Sequence, residues 1–131
     1  MRNVIGAFAL GLLLVSAANA QGLPEQSLWK NTKGSLLLVT KVDTEKNTFS
    51  GTFVNYAAGY ACRGVPVGIT GTVNGNDVSM VANFEPCAAT ITIFKGTLSG
   101  SSLNITFDLR YVDKTYTFQQ VQGSDVFTKQ Y

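Results

Sequence analysis

The stretch Ala89-Thr90-Ile91-Thr92-Ile93-Phe94-Lys95-Gly96 alternates with a period of two, which predicts a β-strand. Thr90, Thr92 and Phe94 share one face, and Ile91, Ile93 and Lys95 share the other. A half-buried strand ordinarily has one apolar and one wet face. Here a hydroxyl-and-aromatic face lies opposite an isoleucine face, which suits a small barrel with polar groups in its lumen and its outer face packed on something else. A plain core strand with two buried, hydrogen-bonded threonines is the competing reading from this stretch alone.

The same alternation recurs on both sides of it. Strands are predicted over 27–31, 35–42, 48–55, 67–73, 77–84, 89–98, 102–112 and 115–121, with a short tail to Tyr131. Glycine and polar turns separate them, Asn74-Gly75 being the strongest hairpin signal because both residues tolerate positive φ. No stretch sustains a helical period. The chain is therefore expected to be all-β, an eight-stranded antiparallel up-and-down β-barrel in which closure removes exposed edges.

Residues 1–20 stand apart. Arg2 precedes an apolar run over 4–15, and Ala18-Asn19-Ala20 offers a small-x-small cleavage site, so 1–20 read as a signal peptide and 21–131 as one domain. The apolar run is too short for a membrane anchor, and no later stretch is longer. Export to the periplasm or the medium is expected. The full chain carries ten basic and eight acidic residues, so nine basic residues remain once Arg2 is set aside. With no basic cluster, neither nucleic acid nor a membrane surface is indicated as a partner.

In such a meander, alternate connections lie at the same end. The turns 43–47, 74–76 and 99–101 make one compact end, and the long 56–66 loop and the 85–88 loop belong to the other. Binding groups are expected at that second end, the mouth. Cys62 and Cys87, the chain's two cysteines, fall in those two loops. An even count in an exported chain favours a disulfide, worth about 3 kcal/mol for a span of this length. A catalytic thiol would lack histidine, which the chain does not contain, and two cysteines make no zinc site. Enzyme chemistry is also disfavoured because no paired carboxylates share a predicted site. No catalytic residue, metal ligand or cofactor is assigned.

Phe49, Gly51, Phe53 and Asn55 share a face of the third strand, and Leu103, Ile105, Phe107, Leu109 and Tyr111 share one of the seventh. If these faces point inward, Asn31, Ser35, Asn55, Thr90 and Thr92 approach the lumen near the mouth. That pattern favours a cavity with an apolar floor and a hydrogen-bonding rim. Trp29 is expected in the barrel floor. Outward Ile91 and Ile93, with Val78 and Met80 or their neighbours, suggest a subunit interface and a homodimer.

Several motifs in order carry a more specific resemblance. Trp29-Lys30-Asn31-Thr32-Lys33-Gly34-Ser35 resembles the Trp-x-Asn-x-x-Gly-Ser opening of the avidins and streptavidins. Phe49-Ser50-Gly51-Thr52-Phe53 resembles their Phe-x-Gly-x-Tyr strand, and Gly123-Ser124-Asp125-Val126-Phe127-Thr128-Lys129 is similar to their closing Gly-x-Asp-x-Phe-Thr-Lys. Val54-Asn55 and the cysteine pair are most like the dimeric, rhizavidin-like branch.

The resemblance implies a non-catalytic, avidin-like barrel that binds biotin. Asn31 and Ser35 would bond the ureido oxygen, while Asp125 and Asn55 would accept from the two ureido N–H groups. Thr92 would face the sulfur and Thr90 the carboxylate, with Phe84, Phe94, Phe107 and Leu109 as walls. Phe53 stands where the family has a tyrosine donor, and Phe84 and Phe107 replace tryptophans, which implies weaker binding than in the tightest relatives. An avidin-like barrel for another small molecule, a lipocalin-like carrier or a secreted inhibitor are the alternatives. An inhibitor should be sensitive to changes in 56–66, and a biotin binder to changes at Asp125 or Asn31.

Overall fold

The computed structural model describes residues 22–131 apart from 86. The signal peptide expected over 1–20 lies outside the described residues. Eight strands follow in order: β1 Ser27–Lys30, β2 Leu36–Asp43, β3 Thr48–Val54, β4 Pro66–Asn74, β5 Asp77–Asn83, β6 Thr90–Ser99, β7 Ser102–Val112 and β8 Phe118–Lys129. Each pairs antiparallel with the next, and β1 pairs with β8, so the sheet closes into a barrel. The expected all-β, up-and-down barrel is the observed one.

Alternation decides what faces in. Leu103 and Ile105 of β7 and Phe94 of β6 are buried, as are Leu37 and Val39 of β2 and Phe49 and Phe53 of β3. Trp29 closes the core at 1% exposure, its indole N–H donating to Ser27 Oγ at 2.9 Å. Phe53, Phe94 and Phe127 meet edge to face, with ring centroids 5.4–6.3 Å apart. Such contacts add to the hydrophobic gain and hold the floor in one arrangement. At the compact end, backbone bonds from Val73 N–H to Asn47 O, Leu98 N–H to Asn76 O and Lys129 N–H to Ser101 O tie turns to neighbouring strands.

Two expectations are corrected. The last strand does not run over 115–121 with a loose tail; it starts at Phe118 and continues to Lys129. Asp113 causes the late start. Its carboxylate accepts from Thr115 N–H and Oγ1, Thr117 N–H and Gln119 Nε2, which stabilises a turn through Thr117 with Tyr116 at φ 60°. The polar run beyond Val121 stays extended because β7 pairs with it throughout, from Val112 opposite Phe118 to Ser102 opposite Thr128.

Val78 and Met80 are not on the outside. They pair with Gly96 and Phe94 and are buried at 3% and 1%, since register partners share a face and Phe94 points inward. Their outward neighbour is Val81, which stands opposite Ile93. No described helix is long and apolar enough to cross a membrane.

Candidate functional site

The mouth holds a cavity of about 270 Å³. Two connections line it, β1–β2 and β3–β4. Between β1 and β2 the chain reverses around Gly34, whose φ of 85° suits glycine. Asn31 organises this turn: its Oδ1 accepts from Lys33 N–H at 3.0 Å and Ser35 N–H at 2.9 Å. With the oxygen engaged by the loop, the amide's Nδ2 donors are what Asn31 can offer the cavity.

Ser35 and Asn55 form the next part of the rim. Ser35 Oγ accepts from Tyr56 N–H at 2.9 Å and donates to Asn55 Oδ1 over a long 3.5 Å. Asn55 Oδ1 also accepts from Ala57 N–H at 2.8 Å. The Ser35 hydroxyl proton is thus weakly held and readily redirected to a better acceptor.

Asp125 comes from β8, and only the longer strand puts it here. Its side chain is 4% exposed. Oδ1 accepts from Thr32 Oγ1 at 2.7 Å, Thr32 N–H at 3.2 Å and Val126 N–H at 2.7 Å. Oδ2 has the Lys33 ammonium at 3.9 Å, and that ammonium also lies 5.5 Å from the Phe107 ring centre. One carboxylate oxygen is therefore committed to the protein, while the other retains acceptor capacity in a water-poor place, where a hydrogen bond to a charge is stronger.

Phe53, Phe94, Ile105, Phe107 and Leu109 supply the apolar lining, with Thr92 among them. Gly123 leaves the space for one of these rings: it is the register partner of Phe107, and a Cβ there would lie 2.5 Å from the ring. Any side chain at 123 would push Phe107 toward the lumen.

Cys62 and Cys87 form a disulfide, with Cα atoms 6.0 Å apart, that joins the β3–β4 and β5–β6 loops. Gly64 N–H to Asn55 O, at 2.8 Å, and Arg63 Nε to Tyr56 O, at 3.2 Å, pin the longer loop further. The rim is held before any ligand arrives, which lowers the ordering cost of binding.

Of the residues expected at the site, Asn31, Ser35, Phe53, Asn55, Thr92, Phe94, Phe107, Leu109 and Asp125 line this one cavity. Phe84 and Thr90 do not. Phe84 is fully buried and Thr90 is 7% exposed, because Tyr60 of the long loop covers that side. Lys33, Tyr60 and Ile105 also line the cavity, and Thr32 anchors Asp125, though none had been expected there. Thr32 and Lys33 occupy variable positions inside the opening motif, and Tyr60 lies in a loop without periodicity, so only Ile105 carried a readable signal, its inward parity on β7.

No family model matches the chain. Known proteins do. It is 31% identical over 119 residues to afifavidin of Afifella pfennigii, an alignment that covers 86% of this chain and 74% of the relative. The solved structure of the bradavidin2–biotin complex superposes with a TM-score of 0.77 at 35% identity, over 83% of this chain and 100% of that one. The crystal structure of rhizavidin gives a TM-score of 0.72 at 25% identity, over 79% and 80% of the two chains. The barrel, the ordered motifs and these likenesses agree. The chain belongs to the avidin family, whose members are biotin binders without catalytic activity.

Proposed function

We propose that this chain is an exported biotin-binding protein that holds its ligand in the mouth cavity. The observation that carries the reading is the convergence of Asn31, Ser35, Asn55 and Asp125 on one cavity whose remaining wall is apolar and aromatic. A cyclic urea has one strong acceptor and two donors. Asn31 Nδ2 and Ser35 Oγ supply donors for the oxygen, and Asp125 Oδ2 and Asn55 Oδ1 supply acceptors for the two N–H groups. The Asp125 charge draws density through the urea toward its oxygen, so each bond strengthens the others. Phe94, Phe107 and Leu109 flank the rings, Thr92 faces the sulfur and Phe53 closes the floor.

Phe53 carries no hydroxyl, so the urea oxygen receives one donor fewer than the tyrosine of the family motif would give. Missing a donor to a polarised acceptor costs about 1–3 kcal/mol, and the reduced aromatic wall at Phe107 adds roughly 1 kcal/mol. Affinity below that of the tightest relatives follows. The reading of residues 1–20 as a cleaved signal peptide supports secretion or a periplasmic location.

Asp125→Asn tests the site. Asparagine keeps an oxygen for the Thr32 and Val126 donors, so the barrel should remain folded, but the charged acceptor is lost. Ligand binding raises the melting temperature according to its affinity. The wild type should gain thermal stability with biotin, and the variant should bind about ten- to a hundredfold more weakly. An unchanged shift would remove Asp125 from the site.

A homodimer is part of the same reading. Val81 and Ile93 face outward as register partners, with Ile91 further along β6. The Asp108–Arg110 ion pair, 2.8 Å apart, borders them. Val81 and Ile91 are 39% and 38% exposed, and an apolar strip with a charged border fits a subunit interface. Light scattering should give twice the chain mass, falling to one chain in Ile91→Asp; a monomeric wild type contradicts the assignment.

A further inference from the structure

Among the described residues, Lys33 and Asp125 are the two charged ones that line the mouth cavity, one ammonium and one carboxylate. The Asp125 side chain is 4% exposed, and a carboxylate so buried is costly without a partner. The donors from Thr32 and Val126 all go to its Oδ1, and none of them uses Oδ2. What attends Oδ2 is the Lys33 ammonium at 3.9 Å, too far for a hydrogen bond but near enough to offset the charge. The same ammonium lies 5.5 Å from the centre of the Phe107 ring, toward the outer limit of a cation–π contact. The Lys33 side chain is 52% exposed, so it has solvent to swing into, while its backbone N–H stays bonded to Asn31 Oδ1 at 3.0 Å. Displacing the ammonium therefore requires the side chain to move and leaves the turn as it is.

We propose that Lys33 is the resident counter-ion of Asp125, an affinity-setting residue that competes with a cyclic urea for Oδ2. The inference rests on the biotin reading above, and it adds a residue that opposes binding to those that promote it. A urea N–H must come within about 3 Å of Oδ2 to bond. An ammonium beside the same oxygen reduces the negative potential the ligand meets, and it lies against a ring that flanks the ligand. If the ammonium stays, the new hydrogen bond is weaker. If it leaves, its own pairing with Asp125 and Phe107 is lost. Both routes subtract from affinity, because binding reports the difference between the filled and the empty cavity. A half-exposed ion pair and a distant cation–π contact are each modest, so the penalty is modest as well.

Titration of the disulfide-intact chain with biotin methyl ester, which carries no charge of its own, tests this. The proteins are wild type, Lys33→Met, Lys33→Arg, Asp125→Asn, and Lys33→Met combined with Asp125→Asn. Lys33→Met keeps the stem and removes the charge, and should bind about three- to tenfold more tightly than wild type. Lys33→Arg keeps the charge and should bind as weakly as wild type or more weakly. In the Asp125→Asn background the ammonium has no carboxylate to attend, so Lys33→Met should change binding by about twofold or less. Weaker binding in Lys33→Met overturns the counter-ion, as does a gain in Lys33→Arg as large as in Lys33→Met. An equal gain in both backgrounds overturns it too, since that gain would belong to the apolar contact of methionine. If neither wild type nor Lys33→Met binds the ester or biotin, the biotin reading fails and the counter-ion with it; equal binding in the two defeats the counter-ion alone.

Discussion

At the scale of single residues, the site is a set of polar atoms that each do two things. Asn31 and Asp125 spend one oxygen on holding their own loop or strand, which fixes the direction in which the remaining donor or acceptor points. Phe53 shows the opposite case, a buried ring with nothing polar to offer. Phe53→Tyr should therefore tighten biotin binding about five- to a hundredfold, the worth of the missing donor to a polarised acceptor, as read by the Kd of a competition assay. Unchanged or weaker binding would mean that the new hydroxyl does not reach the ligand. Asn31, Ser35, Asn55 and Asp125 were legible in the sequence because they sit in ordered motifs. Tyr60 was not, since its position follows from loop packing against Phe84 and from a disulfide, and neither leaves a periodic trace. Thr90 was assigned correctly to the inward face by parity, yet parity cannot say that another side chain lies in front of it.

At the scale of elements, β8 was the hardest to read and matters most to the site. Gln119, Gln120 and Gln122 break the apolar alternation, so beyond Val121 the strand shows only through its partner β7 and through closure on β1 at Trp29 and Lys30. Its start is set by the Asp113 turn. Thr115 Oγ1, Gln119 Nε2 and the Thr117 and Thr115 N–H groups hold that carboxyl at about 2, below its ordinary 3.8. A depressed carboxyl stabilises the fold fully above the unfolded value and loses that contribution as the pH falls through the folded one. The melting temperature of wild type should thus fall more steeply between about pH 4 and pH 2 than that of Asp113→Asn, which has no charge to lose. Parallel acid profiles for the two proteins would contradict this. Because Asp113 lies near solvent and its partners are neutral donors, the difference should be modest.

At the scale of the whole molecule, closure explains why so much of the architecture could be read from alternation. Every strand has an inside and an outside, and one inward residue settles the parity of its neighbours through register. The same rule corrected Val78 and Met80, whose inward parity follows once they are aligned with Phe94 and Gly96. The barrel brings loops from distant parts of the chain to one rim, and the Cys62–Cys87 link fixes two of them together. Residues more than ninety positions apart, Thr32 and Asp125, meet only because β8 closes on β1. The central claim is that this rim binds biotin, and titration calorimetry of the disulfide-intact protein with biotin, and with desthiobiotin beside it, tests it most directly. Saturable binding of one biotin per chain, weaker than in the tightest avidins, is the predicted result; no heat up to millimolar biotin would contradict it.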